Sequence, residues 1–126
     1  MMQLRIAGTV ENSIVDGEGI RYTIFVQGCP HGCPGCHNPQ THDFQGGKLI
    51  DAAVLLKEIA SDPLLDGVTF SGGEPFCQAA ALAALGKQVH DLGLNLVTYT
   101  GYTLEQLLAD GREDWMALLN ATDILI

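Results

Sequence analysis

The sequence predicts a single α/β domain, residues 1–126, built on a mainly parallel sheet. Runs rich in β-branched and aromatic residues alternate with helical segments. That order favours parallel strands joined by right-handed crossovers. Glycine or proline punctuates most of the junctions, and no internal repeat or low-complexity linker interrupts them. A length of 126 residues with 47% hydrophobic content is enough to bury one core.

Taken in order, residues 4–10 are apolar and β-leaning and predict a first strand or extended arm. A polar turn follows, Val15-Asp16-Gly17-Glu18-Gly19-Ile20, whose glycines suit either a tight turn or a close functional approach. Residues 21–27 form a strand that runs directly into Gly28 and Cys29. Residues 37–48 are polar and turn-rich, with no periodic signal. A helix over 51–61 is predicted from the spacing of Val54, Leu55 and Ile59, with Asp51 as its cap and Pro63 beyond its end. Residues 67–70 are a short strand, broken by Ser71-Gly72-Gly73-Glu74-Pro75. The alanine- and leucine-rich stretch 77–92 is a helix closed by Gly93. Residues 94–100 are the next strand, ended by Gly101. Short helices follow at 103–109, capped by Thr103, and at 114–120, and a last strand begins near Asp123. Because residues 122–126 read as the start of a buried strand, the expectation is a chain truncated at Ile126.

Composition narrows the function classes. A formal net charge of -9 argues against a nucleic-acid surface, which needs a basic patch. No apolar run approaches the ~20 residues of a membrane span, and no basic-then-apolar leader opens the chain. The expected setting is cytoplasmic, where thiols stay reduced.

Three of the four cysteines, Cys29, Cys33 and Cys36, fall in a Cys-x3-Cys-x2-Cys stretch. Residues packed this closely are poor disulfide partners, so metal binding is the better account. Thiolates suit iron–sulfur clusters and zinc. Three cysteines on a four-iron cube leave one iron open to a substrate, which makes the stretch look catalytic. The competing reading is structural zinc, with His37 or Cys77 as fourth ligand. Cys77, at a helix start, also reads as a small buried hydrophobe. No spacing assigns partners to His31, His42 or His90, and Tyr99 and Tyr102 read as packing residues. The cysteine loop, the Gly72-Gly73-Glu74-Pro75 turn and the Tyr99-Thr100-Gly101-Tyr102 turn each follow a predicted strand. In parallel sheets ligands bind beyond the carboxyl ends of the strands, so all three are expected at one rim.

The cysteine spacing followed by Gly-Gly-Glu-Pro after a strand resembles the radical S-adenosylmethionine (SAM) superfamily. That resemblance implies a partial, incomplete β/α barrel and three catalytic cysteines holding a [4Fe–4S] cluster. It further implies SAM on the open iron, cleaved reductively to a 5′-deoxyadenosyl radical. The implied SAM-binding positions are Gly35, Cys36, His37, Gly72, Gly73, Glu74, Thr98 and Thr100. Glu74 would accept from the SAM amino group, the glycines would let the backbone approach, and the threonines would contact the ribose. Gly35 stands where many members carry an aromatic residue. Within the superfamily the chain looks most like the glycyl-radical-enzyme activases, although Glu18 replaces a common proline in their N-terminal signature. Cys33-Pro34-Gly35-Cys36 and Tyr99-Thr100-Gly101-Tyr102 resemble the activating proteins of anaerobic (class III) ribonucleoside-triphosphate reductase. The implied partners are that large reductase and a flavodoxin-type electron donor. The alternatives are a pyruvate formate-lyase-type activase, or a radical SAM enzyme acting on a small molecule.

Overall fold

The computed structural model describes residues 3–13, 19–29 and 46–126. Among them lie six strands: β1 (Gln3–Ser13), β2 (Arg21–Val26), β3 (Lys48–Asp51), β4 (Gly67–Gly72), β5 (Asn95–Thr98) and β6 (Ile124–Leu125). Four helices accompany them: α1 (Ala52–Ser61), α2 (Ala79–Asp91), α3 (Leu104–Asp110) and α4 (Glu113–Ala121). A 3-10 turn, Pro75–Gln78, leads into α2.

The strands form one sheet in the order β3-β1-β2-β4-β5-β6. β2, β4, β5 and β6 run parallel, while β1 lies antiparallel to both β2 and β3. The mainly parallel α/β expectation therefore holds, with an antiparallel flank on one side. β3 was not legible in the sequence. Its four residues are half-buried or exposed on an edge, so they lack the apolar signature that marks buried strands. Asp51 both ends β3 and caps α1, accepting a hydrogen bond from the Ala53 amide at 2.9 Å. The capping expected of Thr103 is present too, as a reciprocal box with Gln106.

The parallel register places Tyr22 beside Val68 and Ile24 beside Phe70, and Val68 in turn beside Leu96. Because neighbours across a parallel ladder share a face, these apolar side chains form one surface. Helices pack on it. A Cβ on Gly86 of α2 would come within 2.9 Å of Leu96, so α2 lies against β5 at glycine distance. Tyr22 reaches α1, where its hydroxyl hydrogen-bonds the Glu58 carboxylate. Leu55, Ile59, Leu82, Leu85 and Val89 complete this apolar layer.

The opposite face is polar yet buried. Arg21, 1% exposed, sends its guanidinium along the sheet to the Thr69 hydroxyl at 2.7 Å and the Val68 carbonyl at 2.8 Å. Burial lowers its pKa, with Asp66 opposing the shift. The guanidinium lies over Gly67, where a Cβ would sit 2.5 Å from it. Gly19, with φ of 79°, packs against Asp66, whose carboxylate accepts from the Ile20 amide at 2.8 Å. These contacts gather at the amino end of β2 and favour the tight-turn reading for Gly19.

Burial, seconded by the Glu58 hydrogen bond, pushes the Tyr22 phenol well above its ordinary pKa. The unfolded chain ionises its tyrosine near pH ~10, while the folded protein holds the proton at that pH. Tyr22 thus contributes stability that is fully present below about pH 10 and is lost as pH rises from there towards the folded value. Tyr22→Phe is expected to cost about 1 kcal/mol at pH 7 and to flatten the decline between pH 9 and roughly 11.5. Denaturant unfolding across that range is the measurement; an unchanged slope would refute the assignment.

Candidate functional site at the carboxyl edge of the sheet

β2, β4 and β5 deliver three connections to the same end of the sheet, and hydrogen bonds between those connections show how closely they meet. β2 ends at Val26, and Gly28, with φ of 105°, turns the chain into Cys29. The Gly73 amide donates to the Val26 carbonyl and the Glu74 amide to the Gly28 carbonyl, both at 2.8 Å. The backbone after β4 is thereby fastened to the backbone that carries Cys29. Gly72 is dictated by this approach: its φ is 93°, and a Cβ would lie 2.6 Å from the Val26 nitrogen. Its role here is strand-to-strand contact.

Glu74 is fully buried. Its carboxylate accepts from the Gly101 amide at 2.8 Å and from the Phe76 amide at 3.1 Å. The Thr100 hydroxyl reaches both carboxylate oxygens, at 2.9 and 2.8 Å. The acidic side chain therefore locks the turn after β4 to the turn after β5 and caps the 3-10 turn. The carboxylate thereby fixes where the backbone of Gly73 and Glu74 lies.

The two threonines are engaged within the fold as well. Thr98 is fully buried and its hydroxyl pairs with that of Thr122 at 2.9 Å. Thr100 is committed to Glu74 and also accepts from the Tyr102 amide at 3.1 Å. Both strengthen the scaffold beneath the rim. Cys29 is a free thiol, half-buried, at the carboxyl end of β2. Cys33, Cys36, Gly35 and His37 lie outside the described residues, as do His31, His42 and Gly17.

Two expectations change. Cys77 is exposed and free, because the adjacent Phe76 takes the buried place in the 3-10 turn. Desolvation by neighbouring atoms nonetheless raises the pKa of its thiol, and the Glu74 charge adds to the rise. His90, to which spacing assigned no partner, meets the Ala121 carbonyl at 2.8 Å and Asp123 at 3.3 Å.

Residues that spacing did not single out complete the rim. The Gln78 carboxamide accepts from the Arg5 amide at 2.9 Å and donates to the Arg5 carbonyl at 2.8 Å, tying the 3-10 turn to β1. The Trp115 indole donates to the Phe76 carbonyl at 3.0 Å. Both are long-range contacts, invisible to local pattern. No local group of three metal-ligating side chains occurs among the described residues. The donor chemistry at the rim nonetheless fits a thiolate-held cluster: a free cysteine lies three residues beyond β2, beside a glycine turn anchored to its own loop.

The sequence matches the 4Fe-4S single cluster domain family over residues 15–126. It is 36% identical to the anaerobic ribonucleoside-triphosphate reductase-activating protein of Pasteurella multocida, covering 90% of this chain and 75% of that protein. The chain belongs to the glycyl-radical-enzyme activases of the radical SAM superfamily. It is also 36% identical to the pyruvate formate-lyase-activating enzyme of Clostridium pasteurianum, covering all of this chain but 52% of that enzyme. The chain thus spans about half the length of one curated relative and three quarters of the other. In fold it is similar to QueE from Escherichia coli, with a TM-score of 0.66 at 20% identity over 79% of this chain and 53% of that one. The cofactors that accompany membership in the activase family are a [4Fe–4S] cluster and S-adenosylmethionine. No helix among the described residues is long and apolar enough to cross a membrane.

Thr100→Val keeps the shape of the side chain and removes the hydroxyl from Glu74. Urea unfolding is expected to report a loss of about 1–3 kcal/mol, the cost of leaving a buried acceptor short of one donor. A loss under roughly 0.5 kcal/mol would mean that the Gly101 and Phe76 amides alone hold the carboxylate.

Proposed function

We propose that this protein is a radical SAM activase that installs a glycyl radical on an anaerobic ribonucleoside-triphosphate reductase. The observation that carries the reading is the union, through Glu74, of the turns after β4 and β5 beside the loop that begins at Cys29. Cys29, Cys33 and Cys36 would hold the cluster that binds SAM. The cluster, when bound, would supply one low-potential electron for the reductive cleavage of SAM to methionine and a 5′-deoxyadenosyl radical.

The chain's own residues bind and orient. Gly73 and Glu74 present backbone to the methionine end of SAM, with the Glu74 carboxylate fixing that backbone in place. Gly35, Cys36 and His37 border the adenine, and the scaffold of Thr98 and Thr100 supports the ribose side. Holding SAM in one pose at the cluster converts a bimolecular encounter into a positioned one. A peptide loop of a large partner meets this rim, and its glycine loses one hydrogen atom to the radical. The electron comes from a flavodoxin-type donor in the cytoplasm.

Identity to the Pasteurella protein over three quarters of its length supports the reductase as partner. The match of the whole chain to the Clostridium enzyme favours pyruvate formate-lyase as the second candidate.

The anaerobically reconstituted, reduced protein is expected to release 5′-deoxyadenosine from SAM. With the reductase present, electron paramagnetic resonance should show a glycyl-radical doublet, and Cys33→Ala should abolish both signals. A doublet on pyruvate formate-lyase alone would move the assignment to that partner. Turnover retained in the Cys33→Ala variant would sink the cluster assignment.

A further inference from the structure

Trp115 is the sole tryptophan of the chain, and it sits on α4, the helix that packs on α2. Its indole N–H nevertheless reaches the Phe76 carbonyl, two residues beyond Glu74 and 39 residues away in sequence. Its ring meets the edge of Phe76, centroids 6.2 Å apart at 87°, and lies 4.9 Å from Tyr102, the residue after Gly101. The Arg112 guanidinium stands 4.8 Å over the ring, steered there by its ion pair with Asp114 at 3.1 Å. One side chain therefore touches the segments on both sides of the Glu74 lock. Packing alone would be satisfied by phenylalanine or leucine. Among the described contacts, what singles out tryptophan is a long donor aimed at the Phe76 carbonyl, in the 3-10 turn that continues directly from Gly72-Gly73-Glu74.

We infer that Trp115 is a positioning residue, and that its indole N–H holds the Gly72–Pro75 turn in the geometry that binds the methionine end of SAM. The inference rests on the activase reading above and deepens it by adding α4 to the SAM site. The mechanism is mechanical. Glu74 joins the turns after β4 and β5 to each other, while the 3-10 turn that continues from the glycines is tied to β1 by Gln78 and to α4 by the Trp115 brace. With the brace removed, the amides of Gly73 and Glu74 would open more often from Val26 and Gly28, and SAM would meet a looser rim.

Because the tryptophan is unique, a tryptophan auxotroph can replace it with β-(3-benzothienyl)alanine, which keeps the shape of the indole but carries sulfur in place of N–H. The protein would be reconstituted anaerobically and compared with the unsubstituted protein and with Leu118→Ala, a core truncation on the same helix. Equilibrium dialysis of labelled SAM should show affinity lowered about tenfold in the analogue, the factor one hydrogen bond of ordinary strength commands, with iron content unchanged. Without SAM or cluster, hydrogen exchange at Gly73 and Glu74 should accelerate by a similar factor. Leu118→Ala should lower the melting temperature further while leaving SAM affinity within about twofold. Unchanged SAM affinity or unchanged exchange in the analogue would overturn the inference, as would an equal affinity loss in Leu118→Ala. Failure of the unsubstituted protein to bind SAM, with exchange still accelerated in the analogue, would instead overturn the activase reading and the SAM role with it.

Discussion

A single buried carboxylate organises the functional edge of this protein. Glu74 leaves the end of β4 with its side chain pointing inward, and the fold surrounds it with donors from Thr100, Gly101 and Phe76. A carboxylate stripped of water is costly unless its acceptor sites are filled by well-aimed donors. That cost is what makes the arrangement specific: the turn after β5 must arrive in register to satisfy it. Once it has, the backbone on either side of Glu74 is bound to Val26 and Gly28, and the start of the cysteine loop is placed as a consequence.

The sheet beneath is asymmetric in a way that serves this edge. Its helix-covered face is apolar and close-packed, from Tyr22 through Phe70 to Leu96. Its other face carries Arg21, Thr23, Thr69 and Gln27, all buried. Arg21 spans the amino end, hydrogen-bonded along β4 and admitted by the absence of a side chain at Gly67. Hydrogen bonds among these buried polar groups add directional constraints to this second face. The parallel register of β2 with β4 brings Val26 level with Gly72, which is the alignment the site requires.

Much of this was legible because it is written in local pattern. Alternating strand and helix signals foretold the parallel sheet, the caps at Asp51 and Thr103 were readable from residue type, and the turns after β4 and β5 meet at one end of the sheet as expected. The misses share a cause. β3 lies half-exposed on an edge, where strands carry little compositional signal. Cys77 was expected to be buried beside a helix start, but a 3-10 turn intervenes and rotates Phe76 inward in its place. The hydroxyls of Thr98 and Thr100 have internal partners, Thr122 and Glu74, that spacing does not reveal. Periodicity predicts which face a residue occupies and is silent about what it meets there.

By itself the sequence determined the class of fold, the thiolate chemistry available to the cysteine loop, and the family to which the chain belongs. Those follow from residue type and spacing, which act over a few bonds. Only the tertiary structure decided what Glu74 does with its charge, why Gly72 must be glycine, and that Gln78 and Trp115 belong to the rim. The partners in these cases lie tens of residues apart in the chain, and the distances that make them partners exist only after the sheet has closed its register.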